Sequence, residues 1–214
     1  MKTLLPRFIA IGVLLLATIT VLAKTNTVER LKAATTDIKD ENDRLAVQAA
    51  LVEFGGNPKL HDFFEHSYGV VIFPTIGKGG LGIGGAHGSG WGFRGGALDG
   101  TSKMTQVTIG FQAGGQAFSQ IIFFEYEADF NRFATGNFEL GAQASAVALT
   151  AGANAQASTA GGANAGANAG AKDSSQAKHT YSDGMAIFTM AKGGLMYEAS
   201  VGGQKFSYRA VTNK

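Results

Sequence analysis

The sequence predicts an α+β protein. N-terminal helices pack on antiparallel β-sheets, as a sandwich or partly closed barrel, with one short internal helix. Three observations lead there. Apolar residues recur at helical spacing through residues 24–66. Apolar and small residues alternate with a period of two through residues 68–122 and again after 184. A glycine-dense block, residues 68–96, keeps that alternation, with Leu81 and Ile83 on one face and Gly80, Gly82 and Gly84 on the other.

The elements follow in order. Val28, Leu31, Thr35 and Ile38 form a first helical stripe, and Leu45, Ala49, Val52 and Phe54 a second, which runs to a stop at Gly55-Gly56. The polar residues 39–43 separate the two helices. Asn57 followed by Pro58 is a cap and first-turn pair, after which Leu60, Phe63 and Phe64 can face a core. Val70–Phe73 is a short apolar strand ended by Pro74. The glycine block reads as a hairpin turning at His87–Gly90, with Trp91 and Phe93 on the return. A bare glycine face costs chain entropy, and is tolerated where another backbone, a helix or a ligand comes very close. Thr105, Val107, Ile109 and Phe111 alternate against small or polar residues, and 118–124 is a buried strand. Residues 125–133 form the short helix, with Phe130 and Phe133 inward. Residues 138–150 alternate as a strand. Residues 152–175, rich in Ala, Gly and Asn, form a flexible loop, because that composition offers too little apolar surface to offset ordering. Strands are expected at 184–190, 194–201 and 205–211. The first two repeat the Lys-Gly-Gly-Leu pattern of Lys78–Leu81 at Lys192–Leu195, which suggests two related hairpins.

Residues 1–23 read as a signal peptide. Lys2 and Arg7 precede an apolar run from Phe8 to Leu22, and Ala23 closes a cleavage site. The expected domains are therefore 1–23, a helical segment 24–66 and a β-rich domain 67–214, in an exported protein. There is no cysteine, which excludes disulfides and thiolate metal sites. The 18 basic and 16 acidic residues are not gathered into a basic run, so a nucleic-acid partner is not expected.

Candidate chemistry is sparse. Gly77-x-Gly79-x-x-Gly82 matches a dinucleotide fingerprint in form, but that mechanism needs a helix opening behind the glycines, and here more strand follows. No nucleotide or other cofactor is expected. His61, Glu65 and His66 lie too far round a helix to converge on a metal. No carboxylate pair or nucleophile–base set stands out, so the chain is read as non-enzymatic.

The ordered motifs Phe63-Phe64, Tyr68–Pro74, Gly77–Gly85, Ile109–Gln120, Asn131–Phe133 and Lys192–Leu195 resemble the SYLF domain family. That family includes yeast actin-regulating proteins and exported bacterial proteins, the latter closer to this chain. The resemblance implies a lipid-binding module with a phospholipid or phosphoinositide-like headgroup as ligand. Two arrangements are open. The helical segment can lie on a bilayer with Val28, Leu31, Ile38, Phe63 or Phe64 inserted and Lys32, Lys39 or Lys59 at the phosphates. Alternatively, the β-architecture holds a lipid chain against the glycine face, with Lys78, Arg94 or Lys192 at its headgroup. Trp91, the single tryptophan, is an interface anchor or a core residue. The other class of function is an envelope protein that presents the 152–175 loop to a protein partner.

Overall fold

The computed structural model describes residues 27–141, 147–149 and 181–211. The expected signal peptide and the 152–175 loop lie outside the described residues. The chain opens with helices α1 (Thr27–Ala34), α2 (Glu41–Gly55) and α3 (His61–His66), linked through 3-10 turns at Thr35–Asp37 and Pro58–Leu60. Asp40 caps α2 by accepting the Asp43 N–H at 2.9 Å. Asn57 accepts the Lys59 N–H at 3.1 Å, with Pro58 in the first turn. The buried stripe of α2 is Val47, Ala50, Leu51 and Phe54; Leu45 and Val52, expected inward, face solvent.

Three very long strands follow: β1 (Gly69–Arg94), β2 (Ala97–Phe124) and, after helix α4 (Glu127–Ala134) and the short strands β3 (Phe138–Leu140) and β4 (Val147–Leu149), β5 (Met185–Ala210). Strand β2 lies between β1 and β5, antiparallel to both. β3 pairs antiparallel with β5 at Gln204–Phe206, and β4 parallel with it at Phe188–Met190. Among the described residues of 138–150 the alternation takes the form of two three-residue strands. Residues 68–96 form no hairpin: the strand runs through His87–Gly90 and turns at Gly95-Gly96. Pro74 does not end it either. The proline sits in a bulge between Phe73 and Ile76 on an edge strand, where no ladder donor is required. The three strands expected after 184 are one. The two Lys-Gly-Gly-Leu segments are equivalent stretches of β1 and β5 on either side of β2 rather than two hairpins.

Straight strands of this length would reach about 85 Å at ~3.3 Å per residue. Instead the sheet doubles over on itself and is not closed into a barrel. The register of β1 against β2 breaks between Leu81 and Ile83, where Gly82 takes φ +73°, and Gly194 in β5 takes φ +99°. The first leaf holds residues 69–81, 113–124 and 185–194; the second holds 83–94, 97–109 and 202–210. They meet face to face. A Cβ on Gly88 would stand 2.8 Å from the Thr75 carbonyl oxygen, and one on Gly90 would stand 2.6 Å from the Phe73 ring. The Phe73 and Phe206 rings are 5.7 Å apart across the gap.

Between the leaves lie Val71, Phe73, Ile76, Met104, Ile122 and Phe206, continued under α4 by Phe124, Phe130 and Phe133. The outer side of the first leaf carries Val70, Ile72, Ile121, Phe123, Phe188 and Met190, and α1–α3 cover it. The first leaf is therefore buried on both faces, which is why Val70–Phe73 and Ile121–Phe124 read as unbroken apolar runs. Tyr181 packs its ring edge-on to Phe63 at 5.2 Å, with its hydroxyl buried and unpartnered among the described residues.

Gly88→Val is expected to cost about 2–3 kcal/mol through overpacking. Gly77→Val, where a Cβ meets nothing within 4 Å, should stay within about 0.5 kcal/mol of the parent. Urea unfolding of both variants checks the leaf contact. Burial pushes the Tyr181 hydroxyl up to about 12, and Tyr208, buried and hydrogen-bonded to Asp99, also titrates above the ordinary tyrosine range. Both are protonated in the folded protein at pH values where the unfolded chain ionises. Their contribution is complete below the unfolded pKa of 10.0 and is lost as pH rises toward about 12. Thermal melts across that window should show falling stability, with a shallower fall in Tyr181→Phe.

Candidate functional site

The aromatic candidates are core residues. Phe63 packs against Phe188 and Phe123 at 5.0 and 5.5 Å, and Phe64 sits edge-on to Phe123 at 4.9 Å. These contacts fasten α3 to the first leaf. Trp91 is buried in the same cluster, with Val28, Leu31 and Ile38. The helical layer spends its apolar stripe on the sheet, because the first leaf's outer face would otherwise be bare. Insertion of these side chains into a bilayer would mean lifting the helices off the core.

Arg94 is also engaged internally. Its guanidinium donates to the Asp99 carboxylate from Nε at 2.8 Å and from Nη2, reaches Asn131 at 3.4 Å, and lies 5.5 Å from the Phe130 ring centre. The Asp99 bond raises its pKa above the ordinary arginine value. Tyr208 donates its hydroxyl to the same Asp99 at 2.7 Å. This cluster clamps the β1–β2 turn.

The lysines divide by location. Lys59 is exposed on the helical layer behind the Asn57 cap. Lys78 is half-buried, opposite Gln116 in the ladder; Lys192 is exposed, with Nζ 3.4 Å from Thr75 Oγ1. These last two stand on either side of β2, close to the fold of the sheet. Lys59 is on a separate layer. The three are not brought into one site.

The glycine face meets the chain itself. A Cβ on Gly80 would fall 2.4 Å from the Gly84 Cα, and one on Gly84 would fall 2.4 Å from Gln112 Oε1. The concave side of the fold thus has room only for small residues and one amide. Gln112 fills it, donating from Nε2 to the Gly82 and Thr108 carbonyls, both at 3.1 Å, and accepting Thr108 Oγ1–H at 2.8 Å. The amide supplies the Gly82 carbonyl where the β1–β2 register breaks.

With the concave side closed, the large side chains point outward. Leu81 is 84%, Phe111 79%, Ile83 68%, Ile109 66% and Val107 58% exposed. Their alternation was visible in the sequence, but a period of two does not say which face is buried. On the same outer face, toward the β1–β2 turn, come the rows His87–Thr105–Lys205 and Ser89–Lys103–Ser207, then Trp91–Thr101–Arg209, where Trp91 is already buried against the helices. Lys205 pairs with Glu139 on β3 at 3.0 Å.

Charge is segregated between the layers. The three long strands contain six Lys or Arg and two acidic residues, whereas residues 27–66 contain five and eight. Of the two acids, Asp99 is held by Arg94 and Tyr208, and Glu198 stands opposite Gln112 in the ladder. His61 Nε2 and His66 Nδ1 lie 3.3 and 2.9 Å from the Gly55 and Asp62 carbonyl oxygens. Among the described residues, no cluster of three His, Asp or Glu could hold a metal ion. The Gly77–Gly85 glycines run inside β1, with no helix opening behind them.

Gln112→Ala is expected to cost about 1–3 kcal/mol, because it leaves the Thr108 hydroxyl and the Gly82 carbonyl unpaired. Amide hydrogen exchange should accelerate around residues 80–84 and 107–112 and stay unchanged in α2.

Comparison with known proteins gives one family. The family model described as Ysc84, Las17-binding protein actin regulator, matches residues 105–214, which run from β2 through β5. No curated protein matches the chain. The match covers just over half of the sequence and includes the folded part of β2 and β5, so the chain belongs to the Ysc84 family of SYLF-domain proteins.

Proposed function

We propose that this protein is a non-enzymatic phospholipid-binding module that works on a membrane surface, after export, in a bacterial cell envelope. Family membership supports a lipid-binding or actin-regulating module in general. The observation that carries the lipid reading is the charge segregation: a doubled sheet whose long strands carry six Lys or Arg against two acids, backed by a helical segment that carries five against eight. Such a molecule presents its sheet to an anionic surface and turns its helices away. Lys103 and Arg209 on the outer face of the second leaf, with Lys78 and Lys192 near the fold, are the cations placed to meet headgroup phosphates. Export rests on the basic, apolar and small-residue order of residues 1–23. Among the described residues, no helix is long and apolar enough to cross a membrane.

A protein ligand is the second reading, favoured by the family description, which names Las17 binding and actin regulation. In that case the same surface takes an acidic protein segment in place of lipid.

Vesicle co-sedimentation separates the two. The full chain should bind phosphatidylglycerol vesicles and leave phosphatidylcholine vesicles in solution. Affinity should fall steeply as salt shortens the screening length from about 10 Å to about 3 Å. Lys103→Ala should weaken binding about five-fold, as expected for about 1 kcal/mol per basic residue at an anionic surface. A phosphoinositide arm measures headgroup preference. No binding to any of these vesicles removes the lipid reading and leaves the protein-ligand reading standing.

A further inference from the structure

We infer that the folded tip of the sheet is a membrane-insertion wedge, with Leu81, Ile83, Val107, Ile109 and Phe111 entering the acyl boundary of an anionic bilayer. This inference rests on the lipid-binding reading and assigns it a surface. The five side chains form one convex patch. Ile83 stands opposite Ile109 in the ladder, Val107 is one row below, and Leu81 and Phe111 flank the register break between the leaves. All are more than half exposed. The fold cannot take them in, because the inner side of the tip is closed by Gly80, Gly84 and Gln112. Several exposed large apolar residues gathered at one protruding point mark a contact surface.

The central strand of this patch is hydrogen-bonded on both sides. Strand β2 is paired on both sides here, Ile109 opposite Ile83 in β1 and opposite Val201 in β5. Where β1 leaves register, the Gln112 amide satisfies the Gly82 carbonyl. An ordinary loop would carry free N–H and C=O groups into the boundary, each at a cost of several kcal/mol. Val107 and Ile109 ride on the strand whose ladder is paired on both sides, while Leu81 and Ile83 lie on the edge strand β1, which pairs with β2 alone.

Polarity changes along the face at a spacing that fits a bilayer. Interfacial segments sink about 5–10 Å into the headgroup and acyl boundary. Lys103 lies four residues from Val107 along β2, about 13 Å at strand spacing. When the tip is immersed, the His87–Thr105–Lys205 row lies at headgroup level, with Lys103 and Arg209 at or just above the phosphates. The one carboxylate of β1 and β2, Asp99, is at the far end beside Arg94. Lys205 is paired with Glu139 in its row, and Glu198 stands opposite Gln112 in the ladder, so Lys103 and Arg209 are the cations of this face that suit an anionic lipid surface. A convex, protruding shape also favours a yielding bilayer over a preformed protein groove.

The absence of cysteine allows a direct test. Ile109→Cys, Ser89→Cys and Val52→Cys variants of the full chain are labelled with an environment-sensitive fluorophore and mixed with 7:3 phosphatidylcholine–phosphatidylglycerol vesicles. The label at 109 should shift to the blue and be quenched by bromine-labelled acyl chains; the label at 89 should respond weakly, and the label at 52 should not respond. Leu81→Ser/Phe111→Ser should lower vesicle affinity at least ten-fold while keeping the parent melting temperature, since neither side chain packs in the core. If the parent binds vesicles while the 109 label stays aqueous and the double variant binds equally well, the wedge is overturned and the lipid reading survives. If the parent binds no vesicle, the lipid reading itself falls and the wedge with it. If the parent is a dimer that Phe111→Ser dissociates, the tip is a self-association face, which also overturns the inference.

Discussion

The structure depends on a contact in which side chains are missing. Two leaves of one sheet approach so closely that a Cβ at Gly88 or Gly90 would fall within 3 Å of an opposing atom. Close approach of pleated backbones needs a glycine row on at least one of them, and β1 supplies it in its second half. From this follows the layering. The first leaf is covered on one face by the second leaf and must be covered on the other by the helices. Phe63 and Phe64 on α3 and Val47, Leu51 and Phe54 on α2 provide that cover. The helices are thus structural partners of the sheet, and their aromatic residues are committed to the core.

The same contact shapes the surface. A sheet that folds back on itself has a narrow inside and a wide outside at the fold. Small residues and one amide fill the inside; large apolar residues have only the outside. The exposed tip is therefore a consequence of the fold that stabilises the molecule. The long strands carry six cations against two acids and the helical segment five against eight, so the surface away from the helices is apolar at its tip and carries Lys103 and Arg209 along its flank. Arg94, also a strand cation, is engaged within the fold. Its bond to Asp99 and its place over Phe130 make it part of the clamp at the opposite end of the sheet.

Much of the fold was legible in the sequence. The cap at Asn57, the inward Phe130 and Phe133 of α4, and the buried runs at Val70–Phe73 and Ile121–Phe124 stand where composition and spacing put them. Strand length was not legible. Pro74, the His87–Gly90 segment and Gly193-Gly194 are all local signals for ending a strand, yet each lies inside one, because a bulge, an opposing leaf and a fold in the sheet can use the same residues. Of the candidate site, the basic residues near the fold were identified by residue type. The alternation of Leu81, Ile83, Val107, Ile109 and Phe111 is plain in the sequence but carries no role by itself, and Phe63, Phe64 and Trp91, binding candidates by residue type, lie in the core.

By itself the sequence determined which segments are helix and which strand, and where small residues alternate with large ones. Only the tertiary structure decided which face of each alternation turns inward. Alternation at every second residue defines two faces of a strand equally well, and in α2 both the Leu45–Val52 and the Val47–Phe54 stripes satisfy helical spacing. The choice between them comes from what is opposite: helices on one side, a glycine-faced leaf on the other, and at the fold a gap too narrow for anything larger than a single amide.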